Sequence, residues 1–599
     1  MKLSPGAFQF NHIWNSFIFK FGTLVCFTLV IASCTRHQSK EPPNTLHLVV
    51  EAKLKGLDPI LAEDRYSGTQ SAQAYETLLQ FHYLKRPYVV SPLLVEKLPD
   101  VSADGKVYTF TLRKGVLFQD DPCFKSTGGK GRELVAEDFV YSWKRLADPK
   151  LTSSGWWILD GRVVGLNAWR ERAAKNGEKH YSEQVDGLRA LDRYTLQVKL
   201  TQRSAQFLYL ITMPFAAVVP HEAVDFYGKE FLNHAVGTGP FRLAEYHPSS
   251  KVVWVKNPTY RKAVYPEEGA PGDREAGLLA DAGRAIPFAD QVDVQVFVEQ
   301  QPMWLSFLAG QLDISGIPKD NFSSSIGPGQ ELAPDLLAQG IRLIKEPVAD
   351  VTHLSFNLED PLLGKNKLLR QAMSLAFDQN TFNEIFYNGR AMAAQGPIPP
   401  GTDGYDIDFK NPYRQFNINK ARELLAKAGY PGGRGLPPLE YATLAGSSGR
   451  QQSEFTTKMF AAIGIKLNTN TYSWPQFLET VKNKKAQIWE FAWGGDYPDG
   501  ENFLQLFYSK NASPGQNDSN YRNPEFDRLY ELSLTLPEGK QRTETYQKMV
   551  RILVEDCPWI FGSHRLSYIL AQKWLKNYKP NDFSHSNYKY YRVDPSLKK

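Results

Sequence analysis

The sequence is poor in the features that mark most catalytic or nucleic-acid-binding chains of its size. Its 599 residues hold four cysteines, too few for a disulfide framework. There is no run of five like charges, and 70 basic against 64 acidic residues leave only +6 with histidine neutral. Charge therefore gives no support to nucleic-acid binding. The apolar run at residues 21–31 (FGTLVCFTLVI) is 11 residues long, well short of the roughly 20 that a membrane-spanning helix needs. Catalytic spacings are missing too. His221-Glu222 is followed by Ala-Val rather than by a second histidine at i+4, so it is no zinc-protease helix. Gly446-Ser447-Ser448-Gly449 lacks the spacing of a nucleophile elbow. The segment 128–131 (GGKG) has Phe124 where a phosphate loop needs glycine, and no Ser or Thr after Lys130. Pro240 stands in Gly237-Thr238-Gly239-Pro240 where a cofactor loop would need an N–H. The 11 histidines show no i, i+3 or i, i+4 pairing. No enzyme, metal or cofactor is expected, and a secreted hydrolase with an unfamiliar site is the outlying alternative.

What is present points to an exported, multi-domain α/β chain, since about 600 residues exceed one hydrophobic core. Hydrophobic residues make up 42% and charged residues 22%, which excludes a disordered chain. Lys2 and Lys20 precede the 21–31 run, and Ala32-Ser33-Cys34 follows it, the pattern of a secretory signal over 1–33. Either an ordinary signal-peptidase site lies here or, as the closer reading, Ile31-Ala32-Ser33-Cys34 resembles a bacterial lipobox with Cys34 as the acylated new N-terminus. Several acyl chains hold a bilayer durably where one binds marginally. Loss of Lys2 and Lys20 leaves a mature charge of +4. Residues 35–44 (TRHQSKEPPN) read as a polar tether. Cys123 and Cys557 remain, as a disulfide or as two inert thiols.

Periodicity places strands at 46–50, 107–113 and 194–200 and helices at about 71–79, 139–146 and 522–554, the last broken at Pro537. Asp104-Gly105 is a hairpin-turn signal. The Gly-, Pro- and Ala-rich stretch 265–287 reads as a surface insertion. Gly237 and Gly239 read as serving turn geometry or close backbone approach, and 421–428 as a scaffold helix stopped by Gly429 and Pro431.

Five patches in order carry a resemblance. They are 108–113 (YTFTLR) with 135–145 (VAEDFVYSWKR), 237–241 (GTGPF) with 257–260 (NPTY), 369–378 (LRQAMSLAFD), 421–431 (ARELLAKAGYP) and 493–499 (WGGDYPD). Together they resemble the extracytoplasmic solute-binding proteins of peptide ABC importers, the oligopeptide/dipeptide-binding family, over residues 46–595. The resemblance implies a two-lobed α/β periplasmic binding protein with two crossover segments and an additional third domain. Its boundaries would be 34–75 for the tether and first part of domain I, 76–223 for domain II, 224–349 for the second part of domain I, 350–564 for domain III as the second lobe, and 565–599 for the last part of domain I. It implies a monomeric, lipid-anchored receptor outside the cytoplasm that closes on short peptides and hands them to an inner-membrane ABC permease. Relatives of this architecture also take nickel chelates, haem, glutathione or sugars, which is the alternative within the fold.

On composition alone, 487–503 (QIWEFAWGGDYPDGENF) reads equally as a loop of solvated acids and core-capping rings. The resemblance assigns Asp496 to a salt bridge with a peptide α-ammonium. It assigns the backbone of Phe491, Ala492, Trp493 and Gly494 to pairing with the peptide main chain, with Trp493 walling a side-chain pocket. It places Glu63, Arg65 and Tyr66 on the opposite wall with Trp156 and Trp157. The chain departs from the family at Glu490, where some oligopeptide binders carry an arginine for a short peptide's carboxylate. Lys482, Lys484 or Lys485 are candidate substitutes.

Overall fold

Strand Thr45–Val50 pairs in parallel with Gln291–Val296, in register from Thr45↔Gln291 to Val50↔Val296. Parallel neighbours require a long crossover, so one sheet is assembled from distant parts of the chain. Lys251–Lys256 and Phe241–His247 complete it in antiparallel fashion. A computed structural model describes residues 41–61, 64–176 and 181–598. The leader 1–33, Cys34 and Glu63 lie outside the described residues. Among the described residues, no helix is long and apolar enough to cross a membrane.

A second antiparallel sheet, in the order Asp100–Val101, Val107–Thr111, Thr195–Lys199, Leu188–Asp192, shares one core with the first. Helix Ala136–Ala147 packs on it. Glu137 and Asp138 sit in its first turn, and the Asp138 carboxylate accepts from Val135 N–H at 2.9 Å. Both features suit the positive end of a helix. Phe139 and Trp143 are fully buried, and Arg145 on the same helix reaches Asp58 through both guanidinium nitrogens, Nη1 at 2.7 Å. Two pieces of the first lobe are thereby tied together by a buried, charge-assisted fork. Glu76 and Arg261 make a second fork, at 2.6 and 2.9 Å, with Thr238 Oγ1 donating to Glu76 at 3.0 Å.

The second lobe is built on a five-stranded sheet in the order Leu467–Tyr472, Leu439–Leu444, Ile488–Gly494, Asp350–Phe356, Trp559–Phe561. The chain enters it from Arg342–Pro347 and leaves it into Ser563–Ala571, and those two strands pair with each other in the first lobe. The crossovers thus lie side by side. Val348 N–H donates to Arg565 O at 2.9 Å and Gly562 N–H to Thr352 O at 2.7 Å. The buried Asp350 carboxylate accepts from Arg565 N–H at 3.0 Å and from its Nε. This is the two-lobed, two-crossover α/β architecture.

Three local expectations need comment. The helix expected over 71–79 is displaced: the helix is Arg65–Ser71, capped by Asp64, whose carboxylate accepts from Ser67 N–H at 2.8 Å. Beyond it the backbone is committed elsewhere, since Gln73 O and Ala74 O accept from Phe241 and Gly239 N–H. A Cβ on Gly237 or Gly239 would lie 2.0 or 2.6 Å from those same carbonyl oxygens, so both glycines serve close backbone approach. Residues 265–287 run along the surface but are pinned. Both carboxylate oxygens of Asp273 accept from Lys579 Nζ, at 2.7 and 2.8 Å, and Asp281 holds Arg592 and Asn577 at 2.7 and 2.8 Å. Cys123 and Cys557 are free, buried and in separate cores.

Replacing Arg261 by Met strands Glu76, whose side chain is fully buried. Breaking such a pair costs about 3–5 kcal/mol. The first-lobe unfolding transition should drop accordingly in thermal denaturation, and Glu76→Leu in the same chain should restore most of the loss.

Candidate functional site

Ile488–Gly494, here the cleft strand, is paired unequally on its two edges. Along one edge it matches Asp350–Phe356 throughout, from Gly494↔Asp350 to Ile488↔Phe356. Along the other it meets Leu439–Leu444 only at Ile488 and Trp489. Past Trp489, among the described residues, no strand pairs with that outer edge. Gly495 N–H donates to Ala349 O at 2.7 Å and Asn357 N–H to Gln487 O at 2.9 Å. Antiparallel bonding alternates, so Phe491 and Trp493 spend their main-chain groups on Asp350–Phe356. Glu490, Ala492 and Gly494 turn theirs to the open edge. Such an edge is a template for an added strand.

The chain leaves this strand through Gly494-Gly495 to Asp496. A Cβ on Gly495 would lie 3.0 Å from Phe503 and 3.1 Å from Phe583, a close approach of the two lobes that suits glycine. Asp496 is half-buried, and among the described residues it has no ion-pair partner. The fully buried Asn502 orients it: Asn502 Nδ2 donates to Asp496 Oδ2 at 3.1 Å, while Asn502 Oδ1 accepts from Asp496 N–H at 2.9 Å and from Trp493 Nε1 at 3.1 Å. Burial pushes the Asp496 carboxyl up to about 6, against the Asn502 hydrogen bond and helped by the charge of Glu501. A desolvated carboxylate with one hydrogen bond and no cation is a site prepared for a positive group.

Both lobes touch beside it. Tyr209 of the first lobe stacks on Tyr497, centroids 6.1 Å apart, and donates its hydroxyl to Glu538 at 2.7 Å. Asp499 is held by Arg542 Nη2 at 3.1 Å and by the Tyr546 hydroxyl at 2.7 Å.

Two cavities lie near the cleft strand and between the lobes, and neither is lined by Trp493, Gly494 or Asp496. The larger, about 860 Å³, lies between the lobes, with Arg65, Asp582 and His585 on one side and Tyr387 and Ser448 on the other. The smaller, about 320 Å³, is inside the second lobe against Glu490, Phe491, Ala492, Thr352, Phe382 and Trp474. Tyr387 and Arg565 border both.

Of the residues singled out from sequence, Phe491 and Ala492 line the smaller cavity and Arg65 the larger, where it faces Asp582 at 3.3 Å. Asp496, Gly494 and Trp493 gather at the end of the open edge. Trp493 braces Asn502 through its indole N–H. Tyr66 is exposed next to Arg65. Trp156 and Trp157 border neither cavity. Arg170 covers the Trp156 ring at 4.9 Å, and the Trp157 carbonyl accepts from Arg162 at 2.8 Å. Lys482 and Lys484 are spent on Asp518 at 2.6 Å and Glu359 at 2.8 Å. The cation at the cavities is instead Arg565. Its Nε holds Asp350, and among the described residues neither Nη has a hydrogen-bond partner. A lone arginine beside a crossover leaves no mark in local sequence, and the same holds for Asn502. The cluster Glu41, His47 and Asp293 has metal-like spacing, but Lys598 lies 3.1 Å from His47 Nδ1 and Lys251 lies 3.5 Å from Asp293. Those two cations disfavour a metal there.

The family model described as "Bacterial extracellular solute-binding proteins, family 5 Middle" matches residues 89–515. Heme-binding protein A of Haemophilus influenzae is 25% identical over 96% of this chain and 98% of its own length. Di/tripeptide-binding protein 2 of Pseudomonas aeruginosa is 24% identical over 94% and 98%. Among solved structures, the ABC transporter-associated periplasmic binding protein DppA from Helicobacter pylori, in complex with peptide STSA, superposes with a TM-score of 0.71. That match covers 92% of this chain and 98% of DppA at 23% identity. With the family model spanning well over half of its residues, the chain belongs to the bacterial extracellular solute-binding proteins of family 5.

Proposed function

We propose that this protein is an extracytoplasmic receptor that captures short peptides between its lobes and delivers them, unchanged, to an ABC permease. Acylated Cys34 ties it to the bacterial membrane. Asp496 neutralises the peptide's α-ammonium, and the outer edge of the cleft strand takes the peptide main chain as an added strand. The observation that carries this reading is the Asp496 carboxylate, oriented by Asn502 and lacking a cation, at the end of an unpaired strand edge. The names of the di/tripeptide-binding relative and of the peptide-bound DppA agree with it. Main-chain pairing reads the part of a peptide common to all sequences. An 860 Å³ cleft also leaves room for bridging water around varied side chains.

Calorimetry with free and N-acetylated forms of one peptide tests the reading. Leaving a buried charge unpaired costs about 2–5 kcal/mol, so acetylation, or Asp496→Ala, should weaken binding by about thirtyfold or more. Equal affinity of the two forms overturns the ammonium role. The similarity to Heme-binding protein A gives the same assay a second arm: hemin binding that no peptide displaces would replace peptides by haem as the ligand.

Protonation gives an independent check. Asp496 is raised in the empty fold, so its neutral form is favoured there. That contribution to stability is full below the ordinary carboxylate range and is lost as pH rises through about 6. A bound ammonium needs the ionised form. The peptide-induced rise in Tm should therefore be larger at about pH 8 than at about pH 5, with affinity falling as pH drops through about 6. A rise independent of pH would contradict the assignment.

Lipid attachment is tested by metabolic labelling with palmitate in the producing bacterium. Label should be incorporated by the wild type and lost in Cys34→Ala, with the protein released from the membrane fraction.

A further inference from the structure

Glu490 stands on the open edge of the cleft strand, four residues before Gly494, and lines the 320 Å³ cavity. One oxygen accepts from the Tyr441 hydroxyl at 3.1 Å, and among the described residues the other has no hydrogen-bond partner. Around it the wall is aromatic: Phe491 with Trp474 stacked on it at 5.8 Å, Phe382, and Tyr387.

The charges facing Glu490 can be taken element by element. From Leu439–Leu444 comes Tyr441, held neutral by burial. From Asp350–Phe356 comes His353, which burial lowers to about 3, so it is uncharged at physiological pH; its ring lies parallel to Trp559 at 3.4 Å. Helix Gln379–Tyr387 contributes Tyr387, pushed up to about 12 and also neutral. Helices Ser447–Ala461 and Trp474–Lys482 add the uncharged Gln452 and Trp474. Ser563–Ala571 brings Arg565, whose charge is already matched by the buried Asp350. When ionised, Glu490 is thus the one unbalanced charge among the groups facing this cavity. Burial raises its carboxyl to about 7. A desolvated carboxylate at the end of an aromatic channel suits a cation carried on an apolar stem, which stacks its methylenes on the rings and presents its charge at the end.

Resting on the peptide reading above, we propose that this cavity is a side-chain subsite that selects a basic residue, lysine or arginine, in the bound peptide, with Glu490 as its counter-charge. Register supplies the position. A peptide running antiparallel to the cleft strand, with its amino end at Asp496 and its first residue opposite Gly494, sets its third residue opposite Ala492. Side chains alternate with a period of two, so that third side chain projects to the face shared by Ala492 and Glu490. Glu490 is then its diagonal neighbour, within reach of a long side chain. Arg565, which also borders the cavity with its charge matched by Asp350, adds no second counter-charge, which favours a single basic residue.

The test compares Ala-Ala-Lys-Ala with Ala-Ala-norleucine-Ala, which match in stem length but not in charge, by calorimetry on the mature protein. At about pH 8 the lysine peptide should bind about tenfold or more tightly. The ratio should shrink toward one at about pH 5.5, where Glu490 is protonated, and the general weakening from Asp496 cancels in it. Glu490→Gln should bring the ratio near one at both pH values, and Glu490→Arg should invert it. Binding of both peptides within about twofold at pH 8, or a lysine preference that survives Glu490→Gln, overturns the subsite while leaving the peptide receptor intact. If neither peptide nor any other binds, the receptor reading fails and the subsite with it. The wild-type ratio and its pH dependence need no variant to fold.

Discussion

An ionised carboxylate taken out of water without a counter-charge is expensive, and Asp496 is such a group, with Asn502 donating to it and, among the described residues, no cation beside it. The surrounding structure exists to hold it there. Asn502 fixes the carboxylate and its backbone N–H together, and Trp493 braces Asn502 from the strand. Asp499 starts the short helix that carries Asn502, its carboxylate accepting Glu501 N–H at 2.9 Å and being held in turn by Arg542 and Tyr546. Preorganisation of this kind leaves the guest little to reorder on binding. In the proposed receptor the guest's positive charge would also offset the desolvation of the Asp496 carboxylate.

In the proposed receptor, closure would draw on the same local arrangement. The two crossovers lie side by side, clamped by Asp350, Arg565 and Thr352 through hydrogen bonds between residues distant in sequence. Beside that joint, where Gly495 N–H donates to Ala349 O, Tyr209 stacks on Tyr497, the residue after Asp496, and donates to Glu538. A ligand shifts a lobe equilibrium only by its differential affinity for the closed form. Tyr497, the residue after Asp496, makes the lobe contact, so in the proposed receptor neutralising the carboxylate would act beside that contact. Arg145–Asp58 and Glu76–Arg261 keep the first lobe a single rigid partner in that motion.

Much of the framework could be read from the sequence because it rests on local pattern. The helix Ala136–Ala147 was visible in its acidic first turn and apolar spacing, and helices Pro524–Thr535 and Lys540–Asp556 in the break at Pro537. Gly237 and Gly239 were readable as close-approach positions, though their partners at Gln73 and Ala74 were not. Those carbonyls defeated the helix expected at 71–79, because tertiary pairing of the backbone outweighed helical propensity. Asp496 and the strand before it stood out through resemblance. Asn502, Arg565 and the cavity behind Glu490 did not, since each depends on chain segments brought together by the crossovers. Lys482 and Lys484 show the converse: charge near the site in sequence, spent on Asp518 and Glu359 in space. The stretch 265–287 looked like spare surface because composition does not report that Asp273 and Asp281 are buried against Lys579 and Arg592.

On the proposed reading, two kinds of recognition meet along the cleft strand, and they pull specificity in opposite directions. Main-chain groups of Ala492 and Gly494 are indifferent to sequence, and Asp496 asks only for an amine. By themselves they make a broad receptor. Glu490, on the same edge, faces outward into a walled cavity where its charge is unbalanced, and a charge in such surroundings discriminates more by penalising the wrong side chain than by rewarding the right one. An apolar stem alone leaves the carboxylate desolvated and unpaired, a cost paid in every neutral complex at alkaline pH and absent once Glu490 is protonated. Acidity therefore broadens what the second lobe tolerates while weakening the grip on the amino end. The two carboxylates, Glu490 on the strand and Asp496 just beyond it, raised to about 7 and about 6, would on this reading set selectivity and affinity on different parts of the pH scale.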